Sequence, residues 1–188
     1  MAEALFAFKL MRDHPSLLPG VEASSCGVEA EEGDPASVPA VQAMDLWGLD
    51  LEPHRARRLT PQRLGEADLV LTMESGHLRA VGSLRREARE KSTTLMFLAG
   101  AAEAMSRRLG RETVRDEEEA RDRLRQVLEI LRGMSPEGDF LAGLDARGSD
   151  IIDPIGSSLQ VYIEVAEEID RSLDAVMGAL FGPPEASP

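Results

Sequence analysis

The chain has 188 residues, of which 43% are hydrophobic and 29% are charged, a composition typical of a folded domain rather than a disordered chain. Its 21 basic and 34 acidic residues leave a net charge of −13, which disfavours nucleic acid or an anionic membrane as partners because phosphate recognition needs clustered cations. One cysteine excludes an internal disulfide, three scattered histidines disfavour a zinc site, and no apolar run reaches the about 20 residues of a membrane span. We therefore expect a cytoplasmic protein without a metal or cofactor.

The first half of the chain is predicted to form helices separated by short β segments. Helices are expected at residues 2–14 and 35–48, where apolar side chains recur at helical spacing and Pro15 stops the first. Residues 20–25 are compatible with a β-strand. Residues 67–73 (ADLVLTM) form an unbroken apolar run, which is typical of a strand buried on both faces of a parallel sheet.

The second half continues this alternation. We expect a helix at residues 74–88, a second buried strand at residues 93–98 and a long amphipathic helix at residues 157–180. Helices that alternate with short apolar strands indicate an α/β domain with a parallel sheet. The domain is expected to span residues 1–182, and residues 183–188 are expected to form a tail.

Residues 101–138 interrupt the alternation with a helix-prone, highly charged stretch. Its apolar stripe consists of Leu124, Val127, Leu128 and Leu131. One interpretation is a solvated helix that packs on the domain through this stripe. The other is a helix that binds a protein partner.

Cys26 is the only thiol in the chain. A cysteine phosphatase needs the pattern Cys-x5-Arg, because the loop amides and the arginine hold the phosphate while the thiolate attacks phosphorus. Six residues after Cys26 stands Glu32, a carboxylate where a cation is required. Cys26 is therefore expected to be a small residue of structural importance only.

The segment from Asp150 to Ser158 carries a stronger chemical signal. Asp153 precedes Pro154 in a glycine-containing loop before a long helix, and the proline restricts the backbone of both residues. Such a rigidly placed carboxyl group suits a general acid if its pKa is raised. The alternative is that Asp153 caps the helix or interacts with its dipole, although Ser157 or Ser158 is expected to be the local cap.

The histidines carry weaker signals. His54 lies in the basic segment PHRARR, which suits either anion binding or a patch of surface charge in an acidic chain. His14 and His77 are expected to be exposed and structural.

Five short segments also carry a family resemblance. They are Met1-Ala2-Glu3-Ala4-Leu5-Phe6; Ser25-Cys26-Gly27; Gly48-Leu49-Asp50-Leu51 with His54-Arg55-Ala56-Arg57; residues 67–74; and Asp150-Ile151-Ile152-Asp153-Pro154-Ile155-Gly156 with Tyr162. In this order they resemble the low-molecular-weight protein-tyrosine phosphatases, a family that includes bacterial protein-arginine phosphatases and related arsenate reductases. The stretch at residues 101–138 is longer than the family's usual connection and resembles an insertion.

The resemblance implies a three-layer αβα fold with a short parallel sheet. It also implies a cysteinyl-phosphate mechanism without a metal, acting on a phosphorylated protein or a small phosphomonoester. By analogy, Asp153 would be the general acid and base, Ser25 would brace the phosphate loop, and Pro154 and Ile155 would line the substrate pocket. Ile155 makes the pocket wall aliphatic, and the pattern Asp-Pro-x-Gly-x-Ser at residues 153–158 resembles the arginine-phosphatase branch somewhat more than the tyrosine branch. A single cysteine disfavours arsenate reduction.

The chain departs from the family at its beginning. Members start with a central strand and the Cys-x5-Arg loop, whereas this sequence starts with residues that resemble those directly after the loop. One interpretation is a start codon assigned too late, so that the chain as given lacks its nucleophile and is inactive. The others are a non-catalytic relative that binds a partner and an unrelated small α/β binding module.

Overall fold

The computed structural model describes residues 1–134 and 150–185. Its helices and strands are, in chain order, α1 (Ala2–Asp13), α2 (Val38–Asp45), α3 (Pro61–Glu66), β1 (Val70–Thr72), α4 (Ser75–Leu84), β2 (Ser92–Thr94), α5 (Leu95–Leu109), α6 (Glu117–Met134) and α7 (Leu159–Phe181), with 3₁₀ turns at Pro15–Leu17 and Arg86–Lys91.

Strands β1 and β2 form a parallel sheet, in which Val70 pairs with Ser92 and Thr72 with Thr94. In the described part of the chain this sheet has two strands, and a single parallel bridge joins Gly27 to Arg58 outside it. Residues 20–25, which are β-compatible in sequence, form no strand. Strand pairing needs a neighbour at the right register, and local composition does not supply one.

The sheet lies between two apolar layers. Successive side chains of a strand point to opposite faces, so neighbouring residues of β1 pack against different layers. Leu71 packs against the large core that runs from Leu5 to Phe181, whereas Val70 packs against a smaller cluster formed by Leu64, Val81 and Ala88. The fold is thus the expected αβα arrangement with a short parallel sheet.

Helix α7 is the centre of the larger layer and contacts α1, α2, α5 and α6. Its apolar side chains recur every three or four residues, and Val165, Ile169, Val176 and Leu180 are buried. Gly182 ends the helix with a φ of 80°, and an added Cβ would stand 2.3 Å from the carbonyl oxygen of Glu112. Glycine at this position is therefore required by both backbone conformation and space.

The helix expected at residues 35–48 spans Val38–Asp45, and the strand expected at residues 67–73 spans Val70–Thr72. Two further predicted elements also end earlier than expected. The strand expected at residues 93–98 ends at Thr94, where the side chain of Thr94 accepts a hydrogen bond from the Phe97 amide (3.1 Å) and caps α5. The helix expected at residues 74–88 ends at Leu84 and is followed by the 3₁₀ turn at Arg86–Lys91. An apolar run of six residues fits a buried strand or a buried helix equally well, so the cap decides.

The charged stretch forms the end of α5 and all of α6, and its residues 135–138 lie outside the described part of the chain. Gly110, with a φ of 85°, ends α5. Val127 and Leu131 of the apolar stripe are buried, and Leu124 and Leu128 pack against the same core. This packing favours the interpretation of a solvated helix held on the domain by one face.

His14 is buried, with 2% of its surface exposed, which corrects the expectation that it is exposed. Its ring packs edge-on against Phe181, with the ring centres 5.4 Å apart. Nearby, the Glu185 amide donates to the Asp13 carbonyl oxygen (2.7 Å) and the Glu185 carboxylate accepts from the Ser16 hydroxyl (2.7 Å). The segment after α7 is thereby attached to the end of α1 as far as Glu185.

None of the described helices combines the length and the apolarity that a membrane crossing requires.

Candidate functional site

The loop that carries Asp153 is attached to the carboxyl end of β1. The Ile151 amide donates to the Met73 carbonyl oxygen (2.8 Å), and the Ile151 side chain is buried. The Asp150 carboxylate accepts from the Ser75 amide (2.7 Å) and hydroxyl (3.1 Å) at the start of α4. Ligands of α/β domains commonly bind at the carboxyl ends of parallel strands, and this loop lies at that end of β1.

Asp153 itself is exposed and accepts one hydrogen bond, from the Ile155 amide to Oδ1 (3.0 Å). The cap of α7 is Ser158, five residues later, so the structure contradicts the alternative in which Asp153 caps this helix. Pro154 is half-buried, and the flanking Ile152 and Ile155 are 62% and 78% exposed. The carboxylate therefore stands in an open loop with aliphatic neighbours.

A second group of polar side chains joins the first turn of α1 to two loops. The Glu3 carboxylate accepts from the Ser25 hydroxyl (2.5 Å) and amide (3.0 Å) and from Arg57 Nη2 (2.8 Å to each oxygen). Arg57 Nε also donates to the Ser25 carbonyl oxygen (3.1 Å). Burial raises the pKa of Glu3, but the hydrogen bonds from Ser25 and Arg57 outweigh it and hold the pKa below its ordinary value.

His54 lies beside this group, with Nδ1 4.0 Å from the Glu3 carboxylate. Burial lowers the pKa of His54, and the charge of Arg57 lowers it further, against the opposing effect of Glu3. A surface groove of about 360 Å³ is lined here by Glu3, Glu32, His54 and Arg57. The groove carries both signs of charge.

The arginines of the basic segment are largely engaged within the protein. Arg57 binds Glu3, and Arg55 Nη1 donates to the carbonyl oxygens of Glu52 and His54 (both 2.7 Å). The nearby Arg63 binds the Arg58 carbonyl oxygen (3.0 Å) and Glu32 (3.4 Å). These contacts favour a structural role for the segment over anion binding.

Cys26 is an exposed residue next to Ser25. Surrounding atoms still desolvate its thiol, which raises the pKa of Cys26 despite the opposing charges of Arg63 and Arg57. A raised thiol pKa disfavours the nucleophilic thiolate, and this agrees with the absence of an arginine at the sixth following position.

The structure places the predicted residues in two separate groups. Asp153, Pro154 and Ile155 share one loop, Ser25 belongs to the Glu3 group, and no hydrogen bond or ion pair joins the two groups within residues 1–134 and 150–185. The roles of Asp150 and Glu3 were not predicted, because each depends on a partner distant in sequence. Among the described residues no cluster of histidine, cysteine and carboxylate side chains could hold a metal ion.

The fold is thus of the αβα class, and its Asp-Pro loop is attached to the carboxyl end of β1. The family model described as low molecular weight phosphotyrosine protein phosphatase matches residues 1–133. The chain belongs to this family.

Two relatives show how the match is distributed. The low molecular weight protein-tyrosine-phosphatase Etp of Escherichia coli K12 is 38% identical over 80 residues, which cover 43% of this chain and 53% of that protein. The protein-arginine-phosphatase of Geobacillus stearothermophilus is 34% identical over 157 residues, which cover 84% of this chain and 75% of that protein. The chain spans about half the length of the first curated relatives that it matches.

Solved structures of phosphatases have a similar fold. The YwlE arginine phosphatase from Geobacillus stearothermophilus superposes with a TM-score of 0.61 at 26% identity, over 93% of this chain and 79% of that one. The low molecular weight protein tyrosine phosphatase from T. tengcongensis gives a TM-score of 0.60 at 27% identity, over 94% of this chain and 86% of that one.

Proposed function

We propose that this protein is a phosphoprotein phosphatase that acts on phosphotyrosine or phosphoarginine through a cysteinyl-phosphate intermediate. The observation that carries the proposal is Asp153, an exposed carboxylate beside Pro154 in a loop attached to the carboxyl end of β1. The 188 residues contain no Cys-x5-Arg sequence. A cysteinyl-phosphate mechanism needs both groups, so we propose that residues outside these 188 supply the nucleophile and the phosphate-binding arginine, and we expect the 188-residue chain alone to be inactive.

The proposed reaction has two steps. In the first, the thiolate attacks phosphorus, the S–P bond forms, and the bond from phosphorus to the leaving oxygen or nitrogen breaks as Asp153 donates its proton to that atom. In the second, the Asp153 carboxylate accepts a proton from water, the water oxygen attacks phosphorus, and the S–P bond breaks to release phosphate and the thiolate. No metal or cofactor takes part. The proposed compartment is the cytoplasm, where a thiol nucleophile stays reduced.

Ser25 is proposed to brace the phosphate loop indirectly. Its hydroxyl donates to Glu3 at 2.5 Å, so its contact runs to the first turn of α1. Glu3 stands two residues after Met1, and a segment joined to Met1 would emerge beside this group. Ser25 is therefore proposed to stabilise the segment that joins the phosphate loop to α1, through its hydrogen bond to Glu3.

Phosphoarginine is the favoured substrate. Ile155, which is proposed to line the substrate pocket with Pro154, is 78% exposed and aliphatic, so it offers no ring for stacking on a phenyl group. The relative whose length this chain covers to 75% is named a protein-arginine-phosphatase. Asp153 would then protonate a guanidinium nitrogen as the P–N bond breaks.

A non-catalytic, partner-binding protein remains the second candidate. Its interface would lie on the charged outer face of α6, where Glu118, Arg121, Asp122 and Arg125 are exposed. The apolar stripe of the same helix is already used for packing against the core.

The test begins with the gene product purified from its native source. Its intact mass is expected to exceed the 20.4 kDa of the 188-residue chain, and its sequence is expected to contain Cys-x5-Arg. It is expected to release phosphate from a phosphoarginine peptide faster than from a phosphotyrosine peptide of the same sequence. The 188-residue chain serves as the inactive control. A native product of 20.4 kDa that hydrolyses neither peptide would support the partner-binding candidate instead.

A further inference from the structure

Within residues 1–134 and 150–185, hydrogen bonds attach the loop before α7 to the junction of β1 and α4. The Asp150 carboxylate receives the Ser75 amide at 2.7 Å and the Ser75 hydroxyl at 3.1 Å, across 75 residues of sequence. The adjacent Ile151 amide donates to the Met73 carbonyl oxygen at 2.8 Å. We call these three hydrogen bonds the junction anchor.

Beyond the junction anchor, residues 152–158 make only local hydrogen bonds within the part of the chain that the structure describes. The Ile155 amide donates to Asp153 and the Ser157 amide donates to the Pro154 carbonyl oxygen. Among the described residues, the next hydrogen bond to another element joins the Ser37 hydroxyl to Tyr162 at 3.2 Å. Ile152, Asp153 and Ile155 are exposed, so packing does little to hold them in place.

Asp150 also completes the start of α4. Glu74, which precedes this ten-residue helix, makes no side-chain cap hydrogen bond. Asp150 satisfies the first amide of the helix, and its negative charge suits the positive end of the helix dipole. The position of the loop is thereby coupled to the start of α4.

We propose that Asp150 is a positioning residue that fixes the location of the Asp153 carboxyl group through the junction anchor. The catalytic meaning of this inference rests on the proposed function, but the anchor itself can be measured on the 188-residue chain. Asp150 is three residues from Asp153 and acts through Ile151 and the backbone between them.

The measurement is ¹⁵N relaxation together with amide hydrogen exchange on the 188-residue chain. In Asp150→Ala the order parameters of Ile152, Asp153 and Ile155 are expected to fall from about 0.85 to below about 0.6. Exchange of the Ile151 amide is expected to become about tenfold faster, an effect of the size of a lost helix cap. The amides of β2 and of the centre of α7 are expected to stay unchanged.

Three further variants sharpen the test. Asp150→Asn keeps an oxygen that accepts from the Ser75 amide and is expected to retain the order of the loop. Ser75→Pro removes both donors from the other side, and proline is well tolerated at the first position of a helix after an extended residue such as Glu74. It is expected to reproduce the effect of Asp150→Ala. Asp68→Ala, at the opposite end of β1, is the control and is expected to change nothing in the loop.

Unchanged order of Ile152 and Asp153 in Asp150→Ala and in Ser75→Pro would overturn the anchor. An equal loss of order throughout α4, β2 and α7 would also overturn it, because the effect would then be a general loss of structure. If the loop loosens as expected but the native gene product keeps its full phosphatase rate with Asp153→Ala, the acid role is overturned while the anchor stands.

Discussion

Arg57 donates from Nη2 to both carboxylate oxygens of Glu3 at 2.8 Å. This pair links the first turn of α1 to the loop after α2, and Ser25 joins it from a third segment. The side chains are partly buried, so neither charge is fully hydrated once its partner is removed. The Glu3–Arg57 pair is therefore expected to stabilise the fold more than an ion pair on the surface does.

Arg57→Ala is expected to lower the free energy of unfolding by about 1–3 kcal/mol, because it leaves the partly buried Glu3 without its cation. Urea denaturation at pH 7 measures the change. Arg63→Ala is the matched control, since its pair with Glu32 is longer (3.4 Å) and more exposed, and its loss is expected to destabilise the protein clearly less than Arg57→Ala does. Equal effects of the two substitutions would contradict the assignment.

The buried Lys9 gives a prediction of a different kind. Its ammonium lies 2.8 Å from the Asp170 carboxylate and 2.5 Å from that of Asp174, both on α7. Removing one anion leaves a buried cation poorly compensated, whereas removing the cation leaves two carboxylates that reach solvent. Asp170→Ala is therefore expected to lower the free energy of unfolding by about 2–4 kcal/mol and Lys9→Met by less.

Thermal denaturation of these two variants and of Lys9→Met combined with Asp170→Ala checks the prediction. The double variant is expected to be more stable than Asp170→Ala alone. A double variant that is less stable than either single variant would show that the charges contribute independently.

His14 predicts a pH dependence. Burial lowers its pKa below the ordinary value of about 6.5, against the opposing charges of Asp13 and Glu185. The unfolded chain then binds a proton more readily at this residue than the folded protein does. The contribution of neutral His14 to the free energy of unfolding is therefore fully present above about pH 6.5 and is lost as the pH falls below that value. Below the folded-state pKa no further loss arises from this residue.

The measurement is the free energy of unfolding of the wild type and of His14→Leu between pH 5 and pH 7.5. The free energy of unfolding of the wild type is expected to fall relative to that of His14→Leu as the pH decreases through this range. Leu10→Val, a substitution without a titrating group at another buried position, on α1, is the control and is expected to keep the shape of the wild-type profile. Parallel profiles for the wild type and His14→Leu would exclude His14 as the source.

The sequence predicts elements well where the signal is local. The spacing of Val165, Ile169 and Val176 predicts α7 to within two residues at its start and one at its end. The run from Thr93 to Leu98 misleads, because its apolar character hides the cap that Thr94 provides for α5. A threonine before an apolar run is a known start signal for a helix and could have divided this segment correctly.

The same contrast between local patterns and contacts distant in sequence applies to the candidate site. The neighbouring Pro154 and the helix that follows are the local signals on which the proposal for Asp153 rests, and the loop is attached to the carboxyl end of β1. The contact of Asp150 with Ser75 spans 75 residues, and that of Glu3 with Arg57 spans 54. No local sequence pattern contains both partners of either contact, so these contacts are seen only in the folded structure.

Asp153 offers the most direct test of the central claim. In the native gene product, Asp153→Ala is expected to lower kcat on a phosphopeptide by about 10²–10⁴, as the loss of a general acid does. Asp68→Ala, an exposed carboxylate at the other end of β1, is expected to leave kcat unchanged. A kcat for Asp153→Ala equal to that of the wild type would contradict the account.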